Sequence, residues 1–221
     1  MYVNLIVRKQ TCCPLELNLL ISLNDLFVAA METTSKQLEW IMYYMSKYPE
    51  IQTKVQDEID HLLGHTLEPS LDHRSVLIYT EAMIQEALRK ASITPLALMH
   101  MTGQDYELNG YVIPQGTVVI GNLFASHHNP QVWVDPENFR PERFIDAEGK
   151  LKKIDDFIPF SIGKRNCLGE ILARHQLFLY VVTILQKFRI SAAGELPSED
   201  TARFEITVAP HPFDVIFRQR V

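Results

Sequence analysis

The sequence predicts a mainly α-helical fold with small β-sheets, an α+β class. Apolar residues recur at helical spacing in three segments before any strand signal, and again in a fourth segment near the C-terminus. Between them, short β-branched runs flank an Asn-Gly dipeptide, which favours the positive φ angles of a hairpin turn. The chain has 221 residues and is 47% hydrophobic, which is enough to bury one sizeable core.

Start and stop signals set the order of the helices. The largely apolar stretch after Pro14 predicts a long buried helix. Pro49 predicts the start of the next helix, and Gly64 predicts its end. The third helix carries apolar residues on one face and Glu86 with Arg89 on another. The predicted helices span residues 15–44, 49 to the stop at 64, 75–90 and 170–188.

Strand signals are short and lie between or after the helices. Asn109-Gly110 predicts a hairpin over residues 106–113. Residues 129–149 contain three prolines among aromatic residues, which indicates an ordered, packed segment rather than a flexible linker. The remaining predicted strands span residues 118–120, 206–208 and 215–217.

Charge and cysteine content exclude some classes of protein. The net charge of −6 argues against nucleic acid as the main partner. Three cysteines do not form a disulfide framework, so a reducing compartment is expected. A zinc site would need Cys12 and Cys13 with His127 and His128, which lack the spacing of zinc ligands. We therefore interpret these histidines as loop residues.

Residues 160–169 place Cys167 between two glycines, beside two cations and directly before the fourth helix. Positive charge and a helix N-terminus both stabilise a thiolate anion, the form of cysteine that binds metals. Gly163 and Gly169 allow the backbone to approach a flat ligand, and the Arg165 guanidinium suits a carboxylate. The alternative is a small buried cysteine in a glycine turn. The length of the pattern favours a thiolate ligand for iron.

Three parts of the sequence resemble the cytochrome P450 family. Residues 160–169 match its haem-binding loop, F-x-x-G-x-R-x-C-x-G, and residues 29–34, Ala-Ala-Met-Glu-Thr-Thr, are similar to its distal helix. Residues 86–89 and 139–144 match its E-x-x-R and P-E-R-F elements. The resemblance implies a haem b cofactor whose iron has Cys167 as axial thiolate ligand. It also implies cofactor contacts from Phe160, Gly163, Arg165 and Gly169.

The resemblance implies a structural network of Glu86, Arg89 and Arg143 on the proximal side of the haem. Such a network must be complete, because an unpaired buried charge costs several kcal/mol. The alternative for Glu86 and Arg89 is an ordinary exposed ion pair on a helix, worth about 0.3 kcal/mol.

Glu32 and Thr33 are the catalytic candidates that the resemblance implies. An acid beside a hydroxyl can position water and deliver protons during oxygen activation. The alternative for Thr33 is a hydrogen bond to its own backbone carbonyl one turn back. The chain departs from the family at Ala30, where glycine is common, and the extra methyl would narrow the groove that admits oxygen.

His100 follows the segment after the E-x-x-R helix, where members of the family have a His or Arg that contacts a haem propionate. It is equally consistent with a plain strand histidine. Several residues of this chain match segments that line the substrate pocket in the family. Most of them are apolar, which suggests a lipophilic substrate. The alternative is that they belong to the hydrophobic core. These pocket candidates are Ala29, Ala30, Ile93, Thr94, Leu96, Ala97, Ile206 and Thr207.

The resemblance implies a monooxygenase that inserts one atom of O2 into a lipophilic small molecule. The haem-binding loop resembles that of animal microsomal members of the family. This implies NADPH-cytochrome P450 reductase as partner and the cytoplasmic face of the endoplasmic reticulum membrane as location. Electrons would enter near Lys164. One alternative is an inactive fragment or weak haem-binding module. Another is a haem-thiolate isomerase or dehydratase, which would not need the acid and threonine pair.

The resemblance covers only the C-terminal half of the family. Residues 1–221 are therefore expected to form a partial domain, running from the distal oxygen-binding helix to the C-terminus. The N-terminal half and the membrane anchor would be absent, so any membrane attachment is inferred from relatives.

Overall fold

The computed structural model describes residues 14–204 and 207–220, and all structural statements concern these residues. Helices dominate and all sheets are small, so the predicted α+β class is confirmed. The helices are α1 (Pro14–Lys47), α2 (Pro49–Leu62), α3 (Ile78–Ala91), α4 (Leu123–His128) and α5 (Glu170–Lys187). The strands are β1 (His100–Met101), β2 (Tyr106–Leu108), β3 (Tyr111–Ile113), β4 (Val118–Val119), β5 (Phe188–Ala192), β6 (Arg203–Phe204), β7 (Val208–Ala209) and β8 (Val215–Gln219).

Residues within or beside each helix set most of the helix boundaries, but a side chain from α2 caps the start of α3. Pro49 occupies the first turn of α2, where its missing N–H costs nothing. The amides of Tyr79 and Thr80 at the start of α3 donate to the Glu58 carboxylate of α2, at 2.7 and 2.8 Å. A side chain from α2 therefore satisfies the free N–H groups that begin α3. Ser92, with φ of +39°, ends that helix.

Helix α1 is buried only in its second half. Trp40, Tyr44 and Met45 are fully buried, whereas Leu15 and Phe27 are 75% and 64% exposed. The prediction of a long buried helix is therefore wrong for its first half. Apolar composition indicates that a surface needs cover, but it does not indicate which residues cover it.

The four sheets are two-stranded and antiparallel. The predicted hairpin is confirmed: β2 pairs with β3, and Asn109 and Gly110 have φ of +51° and +81°. The prediction that the last helix reaches Phe188 is wrong, because β5 begins there and pairs with β8. Of the predicted strand at 206–208, Ile206 lies outside the described residues and Val208 belongs to β7.

The core lies where α1, α2, α3 and α5 meet. Stacked aromatic rings join Tyr44 of α1 to Phe139 of the 129–149 segment, with ring centroids 4.5 Å apart. Trp133 and Phe144 of the same segment are buried. The prediction that this proline-rich segment is packed is therefore confirmed. The ring of Phe144 also contacts Phe157 of the loop that follows, with ring centroids 4.9 Å apart.

Candidate functional site

Cys167 lies at the exposed end of a fixed loop. Its amide donates to the Phe160 carbonyl at 2.9 Å, and its own carbonyl accepts from the Glu170 amide at 3.4 Å, where α5 begins. The thiol is free and exposed. The alternative of a small buried cysteine does not describe this geometry. The loop presents the sulfur to the outside while the backbone on both sides is held.

The surface around the sulfur is apolar and open. Leu168 is 88% exposed, and Ile162 and Ile171 are also exposed. A Cβ added at Gly169 would lie 3.9 Å from Cys167 Sγ, on the surface that a flat ligand would approach. Gly163 has φ of +81°, a conformation that favours glycine. An exposed sulfur on an apolar surface fits a large flat apolar ligand.

Arg174 supports this loop. Its guanidinium lies 4.9 Å from the ring centre of Phe160 and 5.7 Å from that of Phe157. Its Nε donates to Glu170 at 2.9 Å. The stacking holds the ring of the residue whose carbonyl binds the Cys167 amide. The signal available in the sequence was that Arg174 follows Glu170 by four residues on one helix, which places the two side chains next to each other.

The structure brings Glu86, Arg89 and Arg143 together in the interior. Glu86 accepts from Arg89 Nε and Nη2 at 2.8 Å each and from Arg143 Nε at 3.0 Å. The side chains of Glu86 and Arg89 are 0% exposed. Their geometry is therefore not that of an ordinary surface ion pair.

The remaining donors of this network bind backbone carbonyls. Arg89 donates to the carbonyls of His127 and Pro136, each at 2.9 Å. Arg143 donates to three carbonyls of the 129–149 segment. Because the guanidinium groups are hydrogen-bonded as well as paired, their burial is compensated. The network thus ties α3 to the proline-rich segment.

Glu32 and Thr33 each bind a different partner. Thr33 Oγ1 donates to the Ala29 carbonyl at 2.8 Å, which is the local backbone bond weighed as the alternative. Glu32 Oε1 accepts from Thr207 Oγ1 at 3.1 Å, and Thr207 is 1% exposed. The structure therefore joins one catalytic candidate to one pocket candidate. Ala29 and Ala30 are exposed on the same helix.

The other pocket candidates lie along one segment. The Ile93 carbonyl accepts from the Val208 amide at 2.8 Å, which holds residues 93–97 beside Thr207. Ile93, Thr94 and Ala97 are partly exposed and Leu96 is exposed, whereas Ile206 lies outside the described residues. His100 is exposed on β1, opposite Val119. The structure does not bring it to another candidate residue in the described part of the chain.

His127 is a buried residue that the sequence interpretation missed. It is 0% exposed and lies in α4 together with His128, so the interpretation of both histidines as loop residues is wrong. Its Nδ1 lies 2.8 Å from Ser92 Oγ, and its Nε2 accepts from the Ile158 amide at 3.1 Å. Burial lowers the pKa of His127 to about 3. The available signal was its spacing of four residues from buried Leu123.

A family model described as Cytochrome P450 matches residues 14–217. The chain belongs to the cytochrome P450 family. It is 43% identical to Cytochrome P450 2U1 of Homo sapiens over 203 residues, which cover 90% of this chain and 37% of that protein. It is 44% identical to Cytochrome P450 2L1 of Panulirus argus over 198 residues, covering 89% of this chain and 40% of that protein. The resemblance to animal microsomal cytochromes P450 is thus confirmed, and the chain spans about 40% of the length of these relatives.

Membership of the cytochrome P450 family implies a haem with iron. The exposed sulfur, the open apolar surface and the close approach allowed at Gly169 fit such a group. In the ranges 14–204 and 207–220, no group of three His, Cys, Asp or Glu side chains could hold a metal ion. None of the described helices has the length and apolar character needed to cross a bilayer.

Proposed function

We propose that this chain is the C-terminal part of a haem-thiolate monooxygenase and that Cys167 is the axial ligand of its iron. The reaction would insert one oxygen atom of O2 into a lipophilic small molecule, with electrons from NADPH-cytochrome P450 reductase. One observation carries the proposal: the Cys167 sulfur is exposed although its backbone is fixed between Phe160 and α5. A cysteine with a purely structural role would be buried.

The residues around the sulfur have separate roles in this proposal. Gly163 and Gly169 leave room for the porphyrin plane, and Phe160 packs beside it. The exposed Arg165 guanidinium binds a propionate, and His100 is a second candidate for that role. When bound, the haem supplies the binding and reduction of O2.

Glu32 and Thr33 would hold and move protons during oxygen activation. The Thr207 hydroxyl fixes one oxygen of the Glu32 carboxyl, which leaves the other oxygen to exchange a proton with water. The Thr33 hydroxyl donates to Ala29, so its lone pairs accept a hydrogen bond from that water. The backbone bond therefore orients the hydroxyl for this role rather than excluding it.

A second candidate is a weak haem-binding module without activity. The exposure of Leu168, Ile171 and the first half of α1 favours it, because these apolar surfaces would leave a bound haem open to water. Water in the site would weaken every polar interaction that activates oxygen.

The deciding experiment is the spectrum of the reduced chain under carbon monoxide after addition of haem. We expect a thiolate-type Soret band in the wild type and in a Cys12→Ser, Cys13→Ser double variant. Cys167→Ser should lose the band because a hydroxyl does not replace the thiolate. If the wild type gives no such band, this chain alone is the weak module. If Cys167→Ser keeps the band, another ligand binds the iron and the proposal is wrong.

The role of Thr33 is tested by coupling between electron use and product formation in the complete enzyme with its reductase. Thr33→Ala should release a larger share of the electrons as peroxide, because water is no longer positioned for proton delivery. Thr34→Ala is the matched control on the same helix. Equal coupling in both variants would contradict the assignment.

Partner and location complete the proposal. Lys164 is exposed on the same loop as Cys167 and offers a basic group for an acidic reductase. The complete protein would act at the cytoplasmic face of the endoplasmic reticulum membrane, held there by the N-terminal anchor that the resemblance to the family implies. Lys164→Glu should slow reduction at low salt and have little effect at high salt. Equal rates would argue against this docking surface.

A further inference from the structure

We propose that His127 is a positioning residue for Cys167. It would act as a neutral imidazole with its proton on Nδ1, joining the buried ion-pair network to the loop that carries the sulfur. The inference rests on the proposed function, because it concerns the ligand of the haem. It assigns a role to a buried group that the reaction itself does not use.

The proton positions follow from the two ends of a hydrogen-bonded chain. At one end the Ile158 amide can only donate, so His127 Nε2 must be the acceptor of their 3.1 Å bond. At the other end the Arg89 carbonyl can only accept, so the Ser92 hydroxyl donates to it at 2.8 Å. The Ser92 oxygen must then accept from His127 Nδ1, 2.8 Å away. Only the tautomer protonated at Nδ1 satisfies all three bonds.

The bond to Ile158 fixes the segment that holds Cys167. The Ile158 carbonyl accepts from the Ser161 amide at 2.9 Å, closing a turn in which Ser161 has φ of +63°. The residue inside this turn, Phe160, offers the carbonyl that binds the Cys167 amide. Three hydrogen bonds therefore separate the imidazole from the cysteine backbone.

The surroundings keep the imidazole neutral. His127 is fully buried, and the charges that face it are Arg89 of α3 and His128 of its own helix. The permanently charged Arg89 guanidinium opposes a second proton on the ring, and a protonated His128 would oppose it too, although burial also lowers the pKa of His128. A second proton on Nε2 would also face the N–H of Ile158, so the chain of bonds requires the neutral form.

The first test reads the tautomer directly in the wild-type chain without haem. Two-bond nitrogen-proton correlation spectra of the ring should show Nδ1 protonated and Nε2 bare at neutral pH. A proton on Nε2, or a doubly protonated ring, would overturn the proposal. This measurement needs no variant and no bound ligand.

The second test compares two variants, His127→Gln and His127→Asn, whose side-chain amides each replace one of the two imidazole nitrogens. The amide group of His127→Gln reaches the position of Nε2 and can accept from Ile158, whereas that of His127→Asn reaches only the position of Nδ1. We expect hydrogen exchange over residues 158–167 to be about ten-fold faster in the Asn variant than in the Gln variant, because the Ile158 amide loses its acceptor. Equal exchange over this segment would overturn the proposal, since a general packing role predicts no difference between the two amides. If His127→Asn does not fold, His127→Gln is compared with the wild type instead. We then expect residues 158–167 to exchange at the wild-type rate in His127→Gln, and exchange about ten-fold faster than in the wild type would overturn the proposal.

The haem-loaded forms separate this inference from the proposed function. Under carbon monoxide, His127→Asn should convert much of the thiolate-type Soret band to the thiol type, and His127→Gln should restore it. If the wild type has no thiolate band while the tautomer and the exchange pattern hold, the proposed function fails and the positioning of the loop stands. If the wild type has the band and both variants keep it fully, the positioning role is wrong.

Discussion

Replacing Glu86 with glutamine tests the buried network by removing one charge without changing shape. Glu86 accepts four hydrogen bonds, from Arg89 Nε and Nη2, Arg143 Nε and the Arg140 amide. The amide nitrogen of glutamine is a donor, so part of this set would meet no acceptor. The net charge of the three side chains would also rise from +1 to +2 in a site that is 0% exposed at Glu86. Breaking a buried pair in this way costs about 3–5 kcal/mol.

Glu142→Gln is the matched control. Glu142 also pairs with one cation, Lys54 at 2.6 Å, and accepts from the Tyr79 hydroxyl at 3.0 Å. Its side chain is 44% exposed, so water replaces what the substitution removes. The expected cost is therefore about 1 kcal/mol or less.

Denaturant unfolding followed by far-ultraviolet circular dichroism measures both free energies of unfolding. The reasoning predicts a difference of about 2 kcal/mol or more between Glu86→Gln and Glu142→Gln, since buried and exposed charges differ in solvation. If Glu86→Gln shows no cooperative transition while the control unfolds like the wild type, the prediction also holds. Free energies within about 1 kcal/mol of each other would refute it, because burial would then not govern the cost of the missing charge.

Three further predictions concern single positions. The pKa of His127 is about 3 in the folded chain and near 6.5 when unfolded, so its stabilising effect is present above pH 6.5 and is lost as pH falls toward 3. Relative to His127→Gln, the wild type should lose about 2 kcal/mol of unfolding free energy between about pH 7 and pH 5, and parallel pH profiles would contradict this. Gly163→Ala, at φ of +81°, should lower the unfolding free energy by about 1 kcal/mol, whereas Gly169→Ala, with an ordinary 3.9 Å contact, should change it little. Equal denaturation midpoints for Gly163→Ala and Gly169→Ala would show that backbone strain at residue 163 does not determine the stability of the variant. Trp40→Phe removes the 3.0 Å bond from Nε1 to the buried Val208 carbonyl and should cost about 1–3 kcal/mol in thermal unfolding, an unchanged midpoint being the contrary result.

The sequence predicted elements whose causes are local. Pro49 starts a helix and Asn109-Gly110 forms a hairpin, because each signal lies within the element it specifies. Strand β5 was not predicted, since its partner β8 lies far along the chain and nothing near Phe188 reports that pairing. The exposure of the first half of α1 was missed for the same reason: burial depends on non-local partners.

The candidate site divides in a similar way. The family resemblance predicted which charged residues belong together, and the structure brings Glu86, Arg89 and Arg143 together. It did not predict His127, because a histidine beside a second histidine carries no spacing that distinguishes a buried ring from an exposed one. Nor did it predict the bond from Thr207 to Glu32, which joins residues 175 positions apart.

Helix α1 has 34 residues, and a rise of about 1.5 Å per residue makes it about 51 Å long. Only its second half is buried in the core, and Glu32 and Thr33 lie where the exposed half meets the buried half. The packed part of the helix therefore holds both catalytic candidates, so substitutions near its exposed N-terminal end should leave these two side chains in place.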